Sequence, residues 1–166
     1  MQHSETHSVP PALTFRRVVW FLPVVFALHI TEEWPHFTEW AQHYASAQFT
    51  QSAYTFIHLS GLAGNVLLAA LFSRWRNRVA LFLFFSAFLL PTFFWNIGFH
   101  VGATVLFGVY CPGVITALFL YPPVVCTVVR RALEEDLLSV RSCSVALVIG
   151  GFVHCWEVGH DVFNAW

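Results

Sequence analysis

The sequence predicts an all-α integral membrane bundle of five transmembrane helices, with its N-terminus cytoplasmic and its C-terminus outside. Composition is the first reason. Apolar residues make up 57% of the 166 and charged residues 10%, against about 45–50% and about 25% in soluble chains. The second is length, because five stretches approach the roughly 20 mostly apolar residues that a helix needs to cross hydrocarbon. The third is the placement of arginine. The chain has eight arginines, no lysine and a formal net charge of −1, which gives no basic field for nucleic acid. Cys111, Cys126, Cys143 and Cys155 form no C-x-x-C pair, which excludes a zinc ribbon or a disulfide framework.

Residues 1–13, polar and carrying two prolines, read as a disordered cytoplasmic tail, and 14–166 as a single five-helix domain. The first span runs from Val18 to about Trp34, with Arg16-Arg17 before it and Pro35 after it. Its apolar core ends near Ile30, and the small pair Ala45 and Ala47 lies too far on for a signal cleavage site. The second span runs from about Tyr54 to Phe72 and the third from Val79 to about His100, kinked at Pro91. The fourth covers about Pro112 to Val129, kinked at Pro122-Pro123, and the fifth about Cys143 to Phe163. Arg16 and Arg17 precede span one, Arg74, Arg76 and Arg78 follow span two, and Arg130, Arg131 and Arg141 lie between spans four and five. All therefore fall on one side, which the positive-inside rule makes cytoplasmic.

Ionisable groups inside apolar spans are expensive and mark function. His29, Glu32, Glu33 and His36 fall within roughly a 100° arc of span one. In span five, His154, Glu157, Asp161 and Asn164 share a face. Span three adds Asn96 and His100, and span two His58 and Asn65. Up-and-down topology puts His29 to His36, His58, Asn96, His100, His154, Glu157 and Asp161 at one depth, in the outer half of the membrane, and that coincidence predicts a single site. Imidazoles and carboxylates one turn apart suit zinc or non-haem iron, mononuclear or dinuclear. The expected ligands are His29, Glu33, His100, His154 and Glu157, with Glu32 as general base. His36, His58, Asn96, Asp161, Trp95 and Trp156 are expected around them or against substrate. His43 and His160 read as exposed, and Glu134, Glu135 and Asp136 as a solvated loop.

His29-x-x-Glu32-Glu33, with Asn96-x-x-x-His100, the Tyr110-Cys-Pro112-Gly113 turn and Thr116 behind it, resembles the signature of the HXXEE family of small multi-span membrane proteins. The resemblance covers most of the spans. It implies a membrane protein with a shared polar site and implies no reaction.

Three function classes remain. The first is a cell-membrane metalloenzyme acting on a lipid or isoprenoid-like substrate between Phe-rich walls. The second is a metal-free acid/base isomerase or cyclase, resembling sterol isomerases of the emopamil-binding type in architecture only, with Phe93, Phe94, Trp95 and Trp156 as a cation–π surface. The third is a metal-ion or proton carrier, disfavoured because the polar groups stop at mid-membrane. Gly61, Gly64, Gly98 and Gly102 can equally pack a neighbouring protomer.

Overall fold

The computed structural model describes residues 13–163, so the tail expected at 1–13 lies, Leu13 apart, outside the described residues, as does Asn164. Among the described residues all regular structure is helical: α1 (Phe15–Val18), α2 (Phe21–Glu33), α3 (Phe37–Tyr44), α4 (Gln51–Phe72), α5 (Arg78–Phe84), a π-helical segment (Phe85–Trp95), α6 (Asn96–Phe107), α7 (Val114–Phe119), α8 (Tyr121–Glu134) and α9 (Val140–Asp161). Four runs among the described residues are long and apolar enough to cross a membrane: Gln51–Phe72, Arg78–Phe107, Val114–Glu134 and Val140–His160.

The first expected span falls short of that measure. It breaks at Val19-Trp20, leaving α2 with 13 residues, about 20 Å of helix against a hydrocarbon core of about 30 Å. Pro23 is the cause. It has no N–H for the Val19 carbonyl one turn back, and its ring crowds that carbonyl. Leu22 N–H takes up Val19 O instead at 3.3 Å.

Pro91 acts differently. Rather than a simple kink, the chain winds as a π-helix across Phe85–Trp95, and Asn96 N–H reaches back five residues to Pro91 O. This wider winding resets the phase of α6, and with it the direction of Asn96 and His100. Side-chain caps start three helices: Thr50 accepts from Ala53 N–H, Asn77 from Ala80 N–H and Ser139 from Ser142 N–H. Gly108 ends α6 in the left-handed conformation (φ 66°), which glycine adopts without a Cβ clash.

α9 lies along the π segment. Close approach is possible because a Cβ on Gly150 would already sit 3.1 Å from Pro91 Cδ, and one on Gly151 3.0 Å from the Trp95 ring. Trp95 Nε1 donates to Leu147 O at 2.9 Å, so this residue holds helices together. α4 packs chiefly on α2, where Gly61 meets the Phe26 ring. Gly64 faces Phe88, whereas Gly98 and Gly102 have no neighbouring atom within 4 Å.

Two ends of the bundle are chemically distinct. At one, Phe15 N–H donates to Glu135, Arg16 Nε to Ser73 O, and Arg78 Nη2 to Asp136 O at 2.8 Å. Arg76 pairs with Glu135 at 2.9 Å, so three arginine-bearing segments meet there. His29, His58, His100 and His154, with Glu32, Glu33 and Glu157, gather at the other. α3 covers that end with Phe37, Trp40 and Ala41 buried beneath it and Glu39 and His43 exposed above.

Candidate metal centre

Glu33 is the hub, and it is buried at the end of α2. Its Oε1 lies 3.3 Å from His29 Nε2, one turn earlier on the same helix, and 3.3 Å from His100 Nε2 on α6. Its Oε2 lies 2.8 Å from His58 Nε2 on α4 and accepts from Tyr54 Oη at 3.3 Å. These two sides of one carboxylate are different interactions. A 2.8 Å contact is a charge-assisted hydrogen bond, whereas 3.3 Å is long for one.

The other ring nitrogens explain the difference. His58 Nδ1 is 2.8 Å from Tyr54 O; a carbonyl only accepts, so Nδ1 carries hydrogen there. The short Nε2 contact to a carboxylate then describes an imidazolium–carboxylate pair. His29 Nδ1 is 2.8 Å from Thr116 Oγ1, whose hydroxyl donates to Glu32. That hydroxyl must therefore accept from His29 Nδ1–H, which leaves an Nε2 lone pair facing Glu33. His100 Nδ1 faces Cys111 Sγ at 3.4 Å, and its fully buried Nε2 has no hydrogen-bond partner. His29, Glu33 and His100 thus aim donor atoms at one point, all within 4.8 Å of one another.

The donor set fits a divalent transition metal. Two atoms each about 2.0–2.1 Å from a tetrahedral zinc lie about 3.3–3.4 Å apart, and both Glu33 contacts are 3.3 Å. Two imidazoles and one carboxylate also form the triad of non-haem iron. A cation there would satisfy the buried His100 Nε2, which otherwise carries an uncompensated desolvation cost.

The loop before α7 closes the site. Gly113 stands at φ 97°. A Cβ there would lie 2.6 Å from His100 Cε1, 2.7 Å from His29 Cε1 and 2.9 Å from Glu33 Cγ. Only a residue without a side chain fits, on both conformational and spatial grounds. Glu32 holds that loop. It accepts from Ile115 N–H at 3.0 Å, Thr116 N–H at 2.7 Å, and the Thr116 and Tyr110 hydroxyls. Burial, and then the Glu32 carboxylate it donates to, push the Tyr110 phenol up to about 12. Burial likewise pushes the Cys111 thiol up.

Beside the cluster opens a cleft of about 710 Å³ whose wall includes Glu33, His58 and His100, together with Asn96, His154, Glu157 and several phenylalanines. That volume is typical of ligand pockets. Phe37 roofs the junction, its ring centroid 6.3 Å from that of His100 and 6.4 Å from that of His58.

The structure therefore brings together three of the five expected ligands and places the other two apart. His154 and Glu157 stand on the cleft wall, outside the group of three. Glu32, expected as general base, spends both oxygens on four donors of the loop and does not line the cleft. His58 meets Glu33 directly, and Asn96 lines the cleft. His36 is exposed at the start of α3. Trp95 is tied to α9, and Trp156 is exposed and stacked on His160, so neither touches the cluster. The side chain of Asp161 lies outside the described residues. Tyr54 was missed, although its spacing of four from His58 offered a signal. Tyr121 was missed too; its ring packs 4.9 Å from that of His29.

Residues 20–128 match the model of a family described as "Protein of unknown function with HXXEE motif", and the chain belongs to that family. Neither the curated proteins nor the solved structures contain a match.

Proposed function

We propose that this HXXEE-family chain is a membrane-embedded, metal-dependent enzyme that acts on a lipophilic substrate held in the Phe-lined cleft. The observation that carries the reading is the pair of 3.3 Å contacts from His29 Nε2 and His100 Nε2 to one oxygen of Glu33, with His100 Nε2 otherwise unpartnered. A zinc or iron ion held by His29, Glu33 and His100 would supply a Lewis acid, an acidified water or, with iron, a site for dioxygen. Convergence of three donors favours one ion over two.

The remaining residues have definable tasks. Thr116 fixes the His29 tautomer, and His58 with Tyr54 holds the far oxygen of Glu33; partners of this kind sharpen a ligand's orientation and basicity. Phe37 and Gly113 shield the cluster from bulk water. The cleft offers an apolar chain a place beside it. We read the chain as a multi-pass cell-membrane protein crossing five times, with α1–α2 as the short first pass. Supporting this, arginine-bearing segments gather at one end and the His29–Glu33–His100 cluster at the other, as expected when successive passes return arginine-bearing loops to the cytoplasmic side.

Metal analysis of the full chain purified in detergent tests the reading. About one equivalent of zinc or iron is expected, falling below about 0.2 in His100→Ala. Products formed from a membrane-lipid extract should disappear on chelation. Less than about 0.2 equivalents in the unaltered chain, with no change in His100→Ala, defeats the metal centre. Turnover that survives chelation favours the metal-free acid/base class, with the His58–Glu33 pair as its acid and base.

A further inference from the structure

The cleft wall away from Glu33 carries a second pair of polar atoms that the metal centre does not use. His154 Nε2 and Asn96 Oδ1 are both buried and both without a hydrogen-bond partner. His154 is only 8% exposed, and both residues line the cleft. Buried polar atoms in folded proteins are nearly always paired, and each orphan is costly unless something supplies its partner. Two such orphans on one cavity wall point to a ligand that completes them.

Both residues share the cleft wall with Phe99. His154 packs against Phe99, with ring centroids 6.4 Å apart, and Phe99 lies one helical turn beyond Asn96. Phe99 in turn packs on His100, with centroids 5.0 Å apart, so this polar spot adjoins the cluster without belonging to it.

Their chemistry is complementary in a restrictive way. An amide oxygen only accepts, and a ring nitrogen that bears hydrogen donates. With the His154 ring hydrogen on Nε2, a hydroxyl answers both, giving its proton to Asn96 Oδ1 and accepting from His154 Nε2. A carboxylate or phosphate has no proton to give Asn96, and no arginine stands on the cleft wall to attract either. A hydrocarbon offers neither bond. The rest of the wall is fit for a tail: Phe26, Phe49, Phe56, Phe88, Val158 and Val162.

We propose that the cleft binds a long-chain alcohol, its hydroxyl held between Asn96 and His154 and its chain along the phenylalanine wall. This rests on the reading of the chain as a metal-dependent enzyme of lipophilic substrates, and it names their class. Straight-chain and prenyl alcohols share that head group, and the test separates them.

The full chain in lipid nanodiscs is irradiated with a hexadecanol analogue bearing a diazirine and an alkyne, and the labelled protein is quantified. Competition by unlabelled hexadecanol or geranylgeraniol, and by neither palmitate nor hexadecane, is expected; the stronger of the two alcohols identifies the chain type. His154→Leu and Asn96→Leu should each lower labelling about tenfold, the worth of one hydrogen bond to a buried polar partner, with metal content unchanged. His154→Gln, whose amide can donate, should recover part of it. Labelling that is unchanged in both leucine variants, or competed equally by hexadecane or palmitate, overturns the alcohol site. Labelling that depends on His154 in a chain carrying no metal overturns the metal centre instead and leaves the alcohol site standing.

Discussion

Gly113→Ala is the sharpest single test of the site, because one methyl group meets all three proposed ligands at once. Two costs arise. The backbone sits at φ 97°, and a left-handed residue with a Cβ costs about 1–2 kcal/mol. The new Cβ would lie 2.6 Å from His100 Cε1, 2.7 Å from His29 Cε1 and 2.9 Å from Glu33 Cγ. Ordinary contact needs about 3.5 Å or more, so both imidazoles must retreat by several tenths of an ångström, and such overpacking costs about 1–3 kcal/mol. The sum is about 2–5 kcal/mol of stability. Metal is affected more severely, because ligand distances are tolerated only within about 0.2 Å. Gly108→Ala is the control. It bears the same kind of backbone strain at φ 66°, with nothing within 4 Å of its Cβ, and should lose about 1–2 kcal/mol while keeping its metal. Thermal unfolding of the detergent-purified variants, read beside metal content, separates the two effects. If Gly113→Ala retains full metal, or if the two variants lose metal equally, the packing of this loop on the ligands is wrong.

Three further outcomes follow from the same contacts. Thr116→Val removes the acceptor that fixes His29 Nδ1 and should weaken metal about 10–100-fold by competition with a chelator; unaltered affinity would separate Thr116 from the site. Glu33→Gln should abolish metal binding. Glu32→Gln should keep it but lower the unfolding stability by about 2–3 kcal/mol, because an amide cannot accept from four donors; equal metal loss in the two would refute the division of labour. Gly151→Val should cost about 1–3 kcal/mol by forcing α9 off the Trp95 ring, and a normal melting temperature would contradict that packing.

Much of this architecture was legible in the chain, and the failures share a cause. Apolar length is a local property, so four helices long and apolar enough to cross a membrane could be read directly from the second to fifth stretches. The first departs from one unbroken helix because Pro23 acts one turn back, at Val19, inside what looks like an unbroken apolar run. The π winding had no signature either, since a uniformly apolar stretch shows no phase to lose. At the site, the spacing of four between His29 and Glu33 announced a shared face, and topology put His100 and His58 at the same depth. Depth is one coordinate only. Whether a side chain faces the cluster or the cleft also depends on helix rotation, which for α9 is set by Gly150 and Gly151 against the π segment. The expectation therefore grouped His154 and Glu157 with the ligands, whereas both line the cleft beside the cluster.

The two adjacent glutamates show why the motif carries two acids rather than one. Successive residues on a helix point about 100° apart, so Glu33 can turn toward His29, His58 and His100 only if Glu32 turns away from them. Glu32 meets the start of α7, where Ile115 and Thr116 offer backbone N–H groups that no helical turn would otherwise satisfy. Fastening that helix also fixes the residue just before it, Gly113, against His29, His100 and Glu33. Thr116 closes the circuit by joining Glu32 to His29 through one hydroxyl. One glutamate thus supplies a donor atom while its neighbour secures the loop that confines it, and exchanging their roles would require α2 to rotate by about 100°. The Pro23 break and the packing of Phe26 on Gly61 hold that helix in its present orientation.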